Sequence, residues 1–160
     1  MEFAGTKEKT LVLIKPDGIQ RGLIGEVVGR FERKGLKVVG IKMMSLDEAV
    51  LREHYAHIAD KPFFPGVSKF MRSSPVIALC LEGLEVVQAV RILCGITKSR
   101  AAEAGSIRGD LAMSVACNVV HASDSVDTAK KEVPRFFHPD EVHDYEKSEF
   151  EHVYTEDERG

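Results

Sequence analysis

Tryptophan is absent from this 160-residue chain, aromatic residues make up only 7% of it, and cysteine occurs three times. Cys80, Cys94 and Cys117 form no CxxC pair, so neither a disulfide framework nor a zinc ribbon is available. They read as reduced, mostly buried small hydrophobes of a cytoplasmic protein. No apolar run approaches the roughly 20 residues that a membrane helix requires. The opening residues Met1-Glu2-Phe3-Ala4-Gly5-Thr6-Lys7 lack a basic stretch followed by an apolar one, so no secretory leader is expected. Walker A, GxGxxG and HExxH strings are missing, which removes P-loop, Rossmann-type dinucleotide and zincin chemistry. Charge of one sign is also lacking. With 22 Lys+Arg against 25 Asp+Glu, a net charge of −3 and a pI near 6.1, the chain is neither a nucleic-acid coat nor a membrane-surface binder.

What is present is enough apolar material, 44%, with 29% charge, to close one ordinary domain core. Thr10-Leu-Val-Leu-Ile-Lys15 reads as a strand stopped by the turn Pro16-Asp17-Gly18. Ile24, Val27, Val28 and Phe31 share one helical face that Gly35 closes, and Lys37–Met44 is a second strand. Ser45-Leu-Asp-Glu48 has capping-box spacing, predicting a helix start there, with helix to about Tyr55 and again between Pro62 and Arg72. Val76–Leu81 is a third strand and Glu85–Leu93 a helix. Residues 95–110 read as a long loop, and Met113–His121 as holding the fourth strand. Ser123-Asp-Ser125 opens a last helix that Pro134 should end or kink, and an acidic tail follows. This order fits an α+β, ferredoxin-like (split βαβ) four-stranded antiparallel sheet covered by helices; a flavodoxin-like parallel sheet is the second choice.

Several of these segments could carry chemistry. His121 stands where a strand gives way to a helix start, a place suited to an approaching phosphate, and a neutral imidazole there could attack phosphorus. Ser123 and Glu132 could orient its other ring nitrogen; the same pattern also fits an ordinary strand-end histidine beside a capping pair. Strict strand alternation puts Asn118 and His121 on opposite faces, so both serve one site only if the chain bends between them. Lys15 before its rigid turn, and Arg91, Thr97, Lys98, Arg100 and Arg108 around the loop, suit either polyphosphate recognition or a solvated face. His54 and His57, at i and i+3, offer two potential metal ligands without a third, while His138, His143 and His152 read as surface residues. Phe63 could stack on a flat ligand or pack in the core.

Taken in order, Ile14-Lys15-Pro16-Asp17-Gly18-Ile19-Gln20-Arg21-Gly22, His54-Tyr55, Pro62-Phe63-Phe64, Ile107-Arg108-Gly109-Asp110 and Asn118-x-x-His121-Ala-Ser123-Asp124 resemble the nucleoside diphosphate kinases, from about Thr10 to Tyr145. The resemblance implies one domain over residues 1–160, with a core of about 8–145 and an acidic C-terminal extension, 146–160, on the ferredoxin-like fold. It implies γ-phosphate transfer from a nucleoside triphosphate to a diphosphate by a ping-pong route through phosphorylated His121, with Mg²⁺. Glu132 and Ser123 would orient that histidine and Tyr55 would pack beside it. Lys15 would touch the outer phosphates and ribose, Arg91 and Arg108 the phosphates, Thr97 the β-phosphate region and Asn118 the sugar hydroxyl. Phe63 and Val67 would sandwich the base. Mg²⁺ would be held by substrate phosphates and water rather than by the protein. Expected partners are ATP, GTP, GDP, UDP, CDP, their deoxy forms and other copies of the chain in a homo-hexamer, with no membrane and no specific nucleic acid. Thr97-Lys98-Ser99 departs from the family's Thr-Asn-Pro in a loop that supports subunit contacts, and Pro134 departs as well. The second reading is a non-catalytic nucleotide-binding regulatory module on the same fold. An RNA-binding sheet is excluded, because no expected strand carries an aromatic.

Overall fold

The computed structural model describes residues 5–159. Four strands, β1 (Lys7–Ile14), β2 (Lys37–Met44), β3 (Val76–Leu84) and β4 (Val120–Ala122), form one sheet in the order β2-β3-β1-β4, with every pairing antiparallel. The helices are α1 (Pro16–Gln20), α2 (Ile24–Lys34), α3 (Glu48–His54), α4 (Phe64–Met71), α5 (Val86–Cys94), α6 (Ile107–Leu111), α7 (Val126–Phe136) and α8 (Glu156–Arg159). This is the ferredoxin-like α+β architecture; the antiparallel pairings exclude the flavodoxin-like alternative.

The central strands β1 and β3 are apolar at successive residues because both faces of the sheet are covered. Val12, Ile14, Ile77, Leu79 and Leu81 enter a core with Val27, Phe31, Val86 and Val90, from α2 and α5. Their neighbours Leu11, Leu13, Val76, Ala78 and Cys80 point the other way, into a second core with Leu51, Phe64, Met71 and Phe136. α2 and β2 match the sequence reading to the residue, and Gly35 closes α2 at φ 99°, a conformation that an L side chain resists. Among the described residues no helix is long and apolar enough to cross a membrane.

Several local expectations are corrected. Pro16-Asp17-Gly18 begins a short helix rather than a turn, since proline at the first helical position loses no needed hydrogen bond. The N-cap of α3 is Asp47, whose side chain accepts from the Val50 N–H at 2.8 Å; Ser45 does not cap it. The segment 95–110 is not all loop, because Ser99–Ala101 makes a 3₁₀ turn and α6 follows with Ser106 as its cap. Pro134 does not end α7, which continues to Phe136. β4 is three residues long and starts only at Val120, for Met113 and Val115 are exposed. Beyond α7, the His143 N–H donates to the Val39 carbonyl at 2.7 Å and the Tyr145 hydroxyl to Val38, so this segment lies along the free edge of β2.

Candidate active site

The site is built on a socket between β1 and β4. The Lys15 N–H donates to the Val119 carbonyl at 2.8 Å, and the Val119 N–H donates to Asp17 Oδ2 at 2.9 Å. Gly18 presses on the same point; a Cβ there would stand 2.8 Å from Ile14 Cγ2 and 3.3 Å from Val119 Cγ1. Held this way, fully buried Val119 adopts φ 72°, and the Val120 N–H bonds back to the Asn118 carbonyl at 2.8 Å, closing a three-residue turn. A β-branched residue in the left-handed region costs about 1–3 kcal/mol, which the bonds from Lys15 and Asp17 offset. The bend is what strict alternation lacked. It lets Asn118 and His121 line one cavity.

That cavity, of about 400 Å³, is lined by Lys15, Tyr55, His57, Arg91, Thr97, Arg108, Asn118, His121 and Asp124, among others. Lys15 is 9% exposed; its ammonium donates to Asn118 Oδ1 at 2.8 Å and to the Ala116 carbonyl at 2.7 Å. One of its three protons therefore remains for a ligand. Burial, opposed by nearby Asp17 and aided by Arg108, pushes its pKa down to about 8. Arg108 spends three N–H groups on carbonyls, from Nε to Asn118 at 3.3 Å, Nη1 to Gly95 at 2.7 Å and Nη2 to Val120 at 2.6 Å, which leaves two. It thus knits α5, the loop and β4 together while keeping charge in the cavity.

His121, on β4, places Nε2 3.0 Å from Glu132 Oε2, and the Ser123 hydroxyl donates to Glu132 Oε1 at 2.6 Å. Glu132 is 4% exposed on the inner face of α7. Burial alone would raise its pKa, but the hydrogen bonds from His121 and Ser123 and the neighbouring imidazoles hold it below the usual carboxylate range. The ring stacked edge-on against His121 is that of His54, 4.5 Å between centroids; Tyr55 in turn meets His54 at 4.8 Å. His57 is exposed, with its ring 6.5 Å from that of Tyr55, whereas His54 is buried and faces Glu132, with Nδ1 3.2 Å from Oε2.

Phe63 and Val67 are not brought into the cavity lining. Phe63 is 57% exposed at the N-cap of α4, and Val67 packs partly against the second core. One turn beyond Val67, the Phe70 ring lies 5.3 Å from Lys15 Nζ, which ties the α4 face to the site. Sequence reasoning missed His54, Asp17, Phe70 and Val119 as parts of this site. The sequence signals were the His54-Tyr55 and Pro16-Asp17 pairs; Val119 carries none, since it reads as strand.

The nucleoside diphosphate kinase family model matches residues 8–142. The chain is 52% identical over 151 residues to a nucleoside diphosphate kinase of Parabacteroides distasonis, covering 94% of this chain and 99% of that one. It is 49% identical over 138 residues to human nucleoside diphosphate kinase A, covering 86% and 91%. Among solved structures it superposes on a halophilic nucleoside diphosphate kinase of Halobacterium salinarum in complex with CDP, with a TM-score of 0.90, 44% identity and 93% and 99% coverage. A transition-state mimic of the Borrelia burgdorferi enzyme with bound vanadate and ADP matches with a TM-score of 0.84, 38% identity and 90% and 95% coverage. The chain belongs to the nucleoside diphosphate kinase family of enzymes.

Proposed function

We propose that this chain, as one catalytic domain, moves the γ-phosphate of a nucleoside triphosphate to a nucleoside diphosphate through a phosphohistidine on His121. The observation that carries the reading is the bond from His121 Nε2 to Glu132, which leaves Nδ1 without a partner, among the described residues, on a ring lining a cationic cavity. An imidazole whose proton is on Nε2 is neutral and already has a lone pair on Nδ1, so no general base is needed. Nδ1 bonds to the γ-phosphorus as the bond to the bridging oxygen breaks, and the diphosphate leaves with that electron pair. The ring becomes a phosphorylated imidazolium, its positive charge facing the Glu132 carboxylate. A second diphosphate attacks the same phosphorus, and Nδ1 departs with its pair.

The remaining work is positioning and charge neutralisation. The spare Lys15 proton, the two free Arg108 N–H groups and Arg91 would meet phosphate oxygens, Thr97 the β-phosphate region, and Asn118 the sugar hydroxyl. Tyr55 would brace the histidine through His54, while Phe63 and Val67 would close on the base. The CDP and vanadate–ADP complexes of the two relatives support nucleotides as ligands here. The lining offers cations and one exposed carboxylate, Asp124, which is no donor set for a resident hard cation. Mg²⁺ fits as part of the magnesium nucleotide, held by phosphates and water, where it neutralises phosphate charge. Initial rates at several fixed ATP concentrations should give parallel double-reciprocal lines against diphosphate; intersecting lines would mean direct transfer in a ternary complex.

Because Lys15 loses its charge above about pH 8, kcat/KM should fall on the alkaline side with a limb near that value. In the nucleotide complex the limb in kcat should move higher, since phosphate favours the ammonium. A Lys15→Met enzyme should lack the limb, and a wild-type profile flat from pH 7 to about 10 would contradict the role.

Base discrimination should be weak, because a stacking and apolar clamp leaves few polar groups unpaired when the base changes. Stacking differences of about 1–2 kcal/mol put ADP, GDP, CDP and UDP within about tenfold or a little more in kcat/KM, purines ahead. Deoxy substrates should lose modestly, and a sugar lacking the 3′ hydroxyl much more. A preference above about a thousandfold would require hydrogen bonds to the base edge and overturn the clamp.

Ile92, Ile96 and Met113 are exposed apolar side chains suited to burial between subunits of a homo-hexamer. Mass measurement in solution tests this against a dimer or tetramer. The cysteines are unpaired, with Cys80 and Cys94 buried, in keeping with a reducing cytoplasmic setting.

A further inference from the structure

In the scheme above His54 only passes on the packing of Tyr55, yet its geometry is demanding. Its side chain is 1% exposed, wedged edge-on between the rings of His121, Tyr55 and Phe136, at 4.5, 4.8 and 5.1 Å. Nδ1 faces two groups that ask opposite things of it: Glu132 Oε2 at 3.2 Å needs a donor, and Arg135 Nη1 at 3.2 Å needs an acceptor. Nε2 is buried with no partner. Burial, reinforced by the neighbouring His121 and Arg135 and opposed by Glu132, pushes the pKa down to about 3, so the ring is neutral near pH 7 and carries one proton.

The position of that proton follows from the alternatives. On Nε2 it would be an orphaned buried N–H, and the Nδ1 lone pair would face a carboxylate; both are costly. On Nδ1 it can make a charge-assisted bond to Glu132, at the cost of an unused acceptor at Nε2 and of the Arg135 Nη1 contact, which takes Nδ1 as its acceptor. Arg135 then keeps the Glu53 carboxylate as a counter-charge, its Nε 3.2 Å from Oε1, although that nitrogen makes no hydrogen bond.

We propose that His54 is a positioning residue for phosphoryl transfer, its Nδ1–H donated to Glu132 Oε2 as the third donor on the carboxylate that holds His121. Ser123 occupies Oε1, and His121 and His54 share Oε2, so the carboxylate cannot turn away from His121. Three donors also lower its basicity. The Nε2 proton of His121 therefore stays on the ring, and Nδ1 remains the nucleophile while positive charge grows on the imidazole. The inference rests on the phosphohistidine reading.

Two measurements on the full-length protein test it. Nitrogen-15 NMR of the imidazole rings in the wild type should show His54 with a pyrrole-type Nδ1 and a pyridine-type Nε2. The reverse tautomer overturns the proposal, whatever the activity. Rapid-quench phosphorylation by ATP then compares two variants. His54→Phe preserves the flat buried shape but has no donor, so phosphorylation should slow by about 10- to 100-fold, the worth of one charge-assisted bond, with ADP affinity unchanged. His54→Asn carries an amide nitrogen near the Nδ1 position and should recover most of that loss. A merely structural His54 reverses the order, because Phe is then the gentler replacement; Asn no faster than Phe, in variants with native-like melting, overturns the role. A wild type that takes no phosphate on His121 overturns instead the reading on which the inference rests.

Discussion

Replacing the proposed nucleophile should leave a folded protein that cannot turn over. His121→Ala removes a side chain that is partly exposed on a cavity wall, so the two cores lose little packing and the melting temperature should change only slightly. Phosphoryl transfer between ATP and a diphosphate should fall by on the order of 10⁴-fold or more, as when other covalent nucleophiles are deleted. Nucleotide affinity should survive, because Lys15, Arg108 and Asn118 are positioned by the Val119 socket and not by the histidine. Retention of more than a few per cent of wild-type turnover would move the chemistry elsewhere.

The second large effect belongs to Glu132. Glu132→Gln keeps the shape in a buried place, so folding is retained, but its chemistry inverts. The Ser123 hydroxyl will continue to donate to an oxygen, which turns the new amide nitrogen toward His121 Nε2. An amide N–H there demands an acceptor and draws the ring proton onto Nδ1, the atom that must attack. Turnover should drop by about 10²- to 10⁴-fold, the range seen when an orienting carboxylate becomes an amide and fixes the wrong tautomer. ADP binding should be nearly unchanged. Unaltered turnover would reduce Glu132 to a buried residue of α7 with no part in transfer. The same lowered pKa has a stability consequence: Glu132 stabilises the fold above the ordinary glutamate range, and that contribution disappears as pH falls through its depressed folded value.

Much of the fold was legible because local signals agreed. The period of Ile24, Val27, Val28 and Phe31 and the following Gly35 define α2, and continuous apolar runs define β1 and β3, whose two covered faces admit no polar alternation. Failures occurred where tertiary contacts decide. Met113 and Val115 look like strand residues but stand exposed, whereas the residue that makes the site, Val119, is held at positive φ by Lys15 and Asp17 more than a hundred positions away. No window around residue 119 contains that information. Tyr55 and His121 line one cavity, and the ring packed edge-on against both is that of His54, a matter of how α3 packs on α7. His121, Ser123 and Glu132 could be nominated together from strand-end and helix-face arguments. That Glu132 would also meet His54 could not, since nothing in a seven-residue helix announces which buried acid its last histidine will face.

The account stands or falls on a covalent intermediate. Full-length protein incubated with γ-labelled ATP and Mg²⁺, without any diphosphate acceptor, should take up phosphate that is labile in acid and stable in base, approaching one per chain, on His121 Nδ1. Adding ADP should chase it into ATP, and His121→Ala should take up none. Label recovered on a serine, label retained by His121→Ala, or no label in the wild type would contradict it.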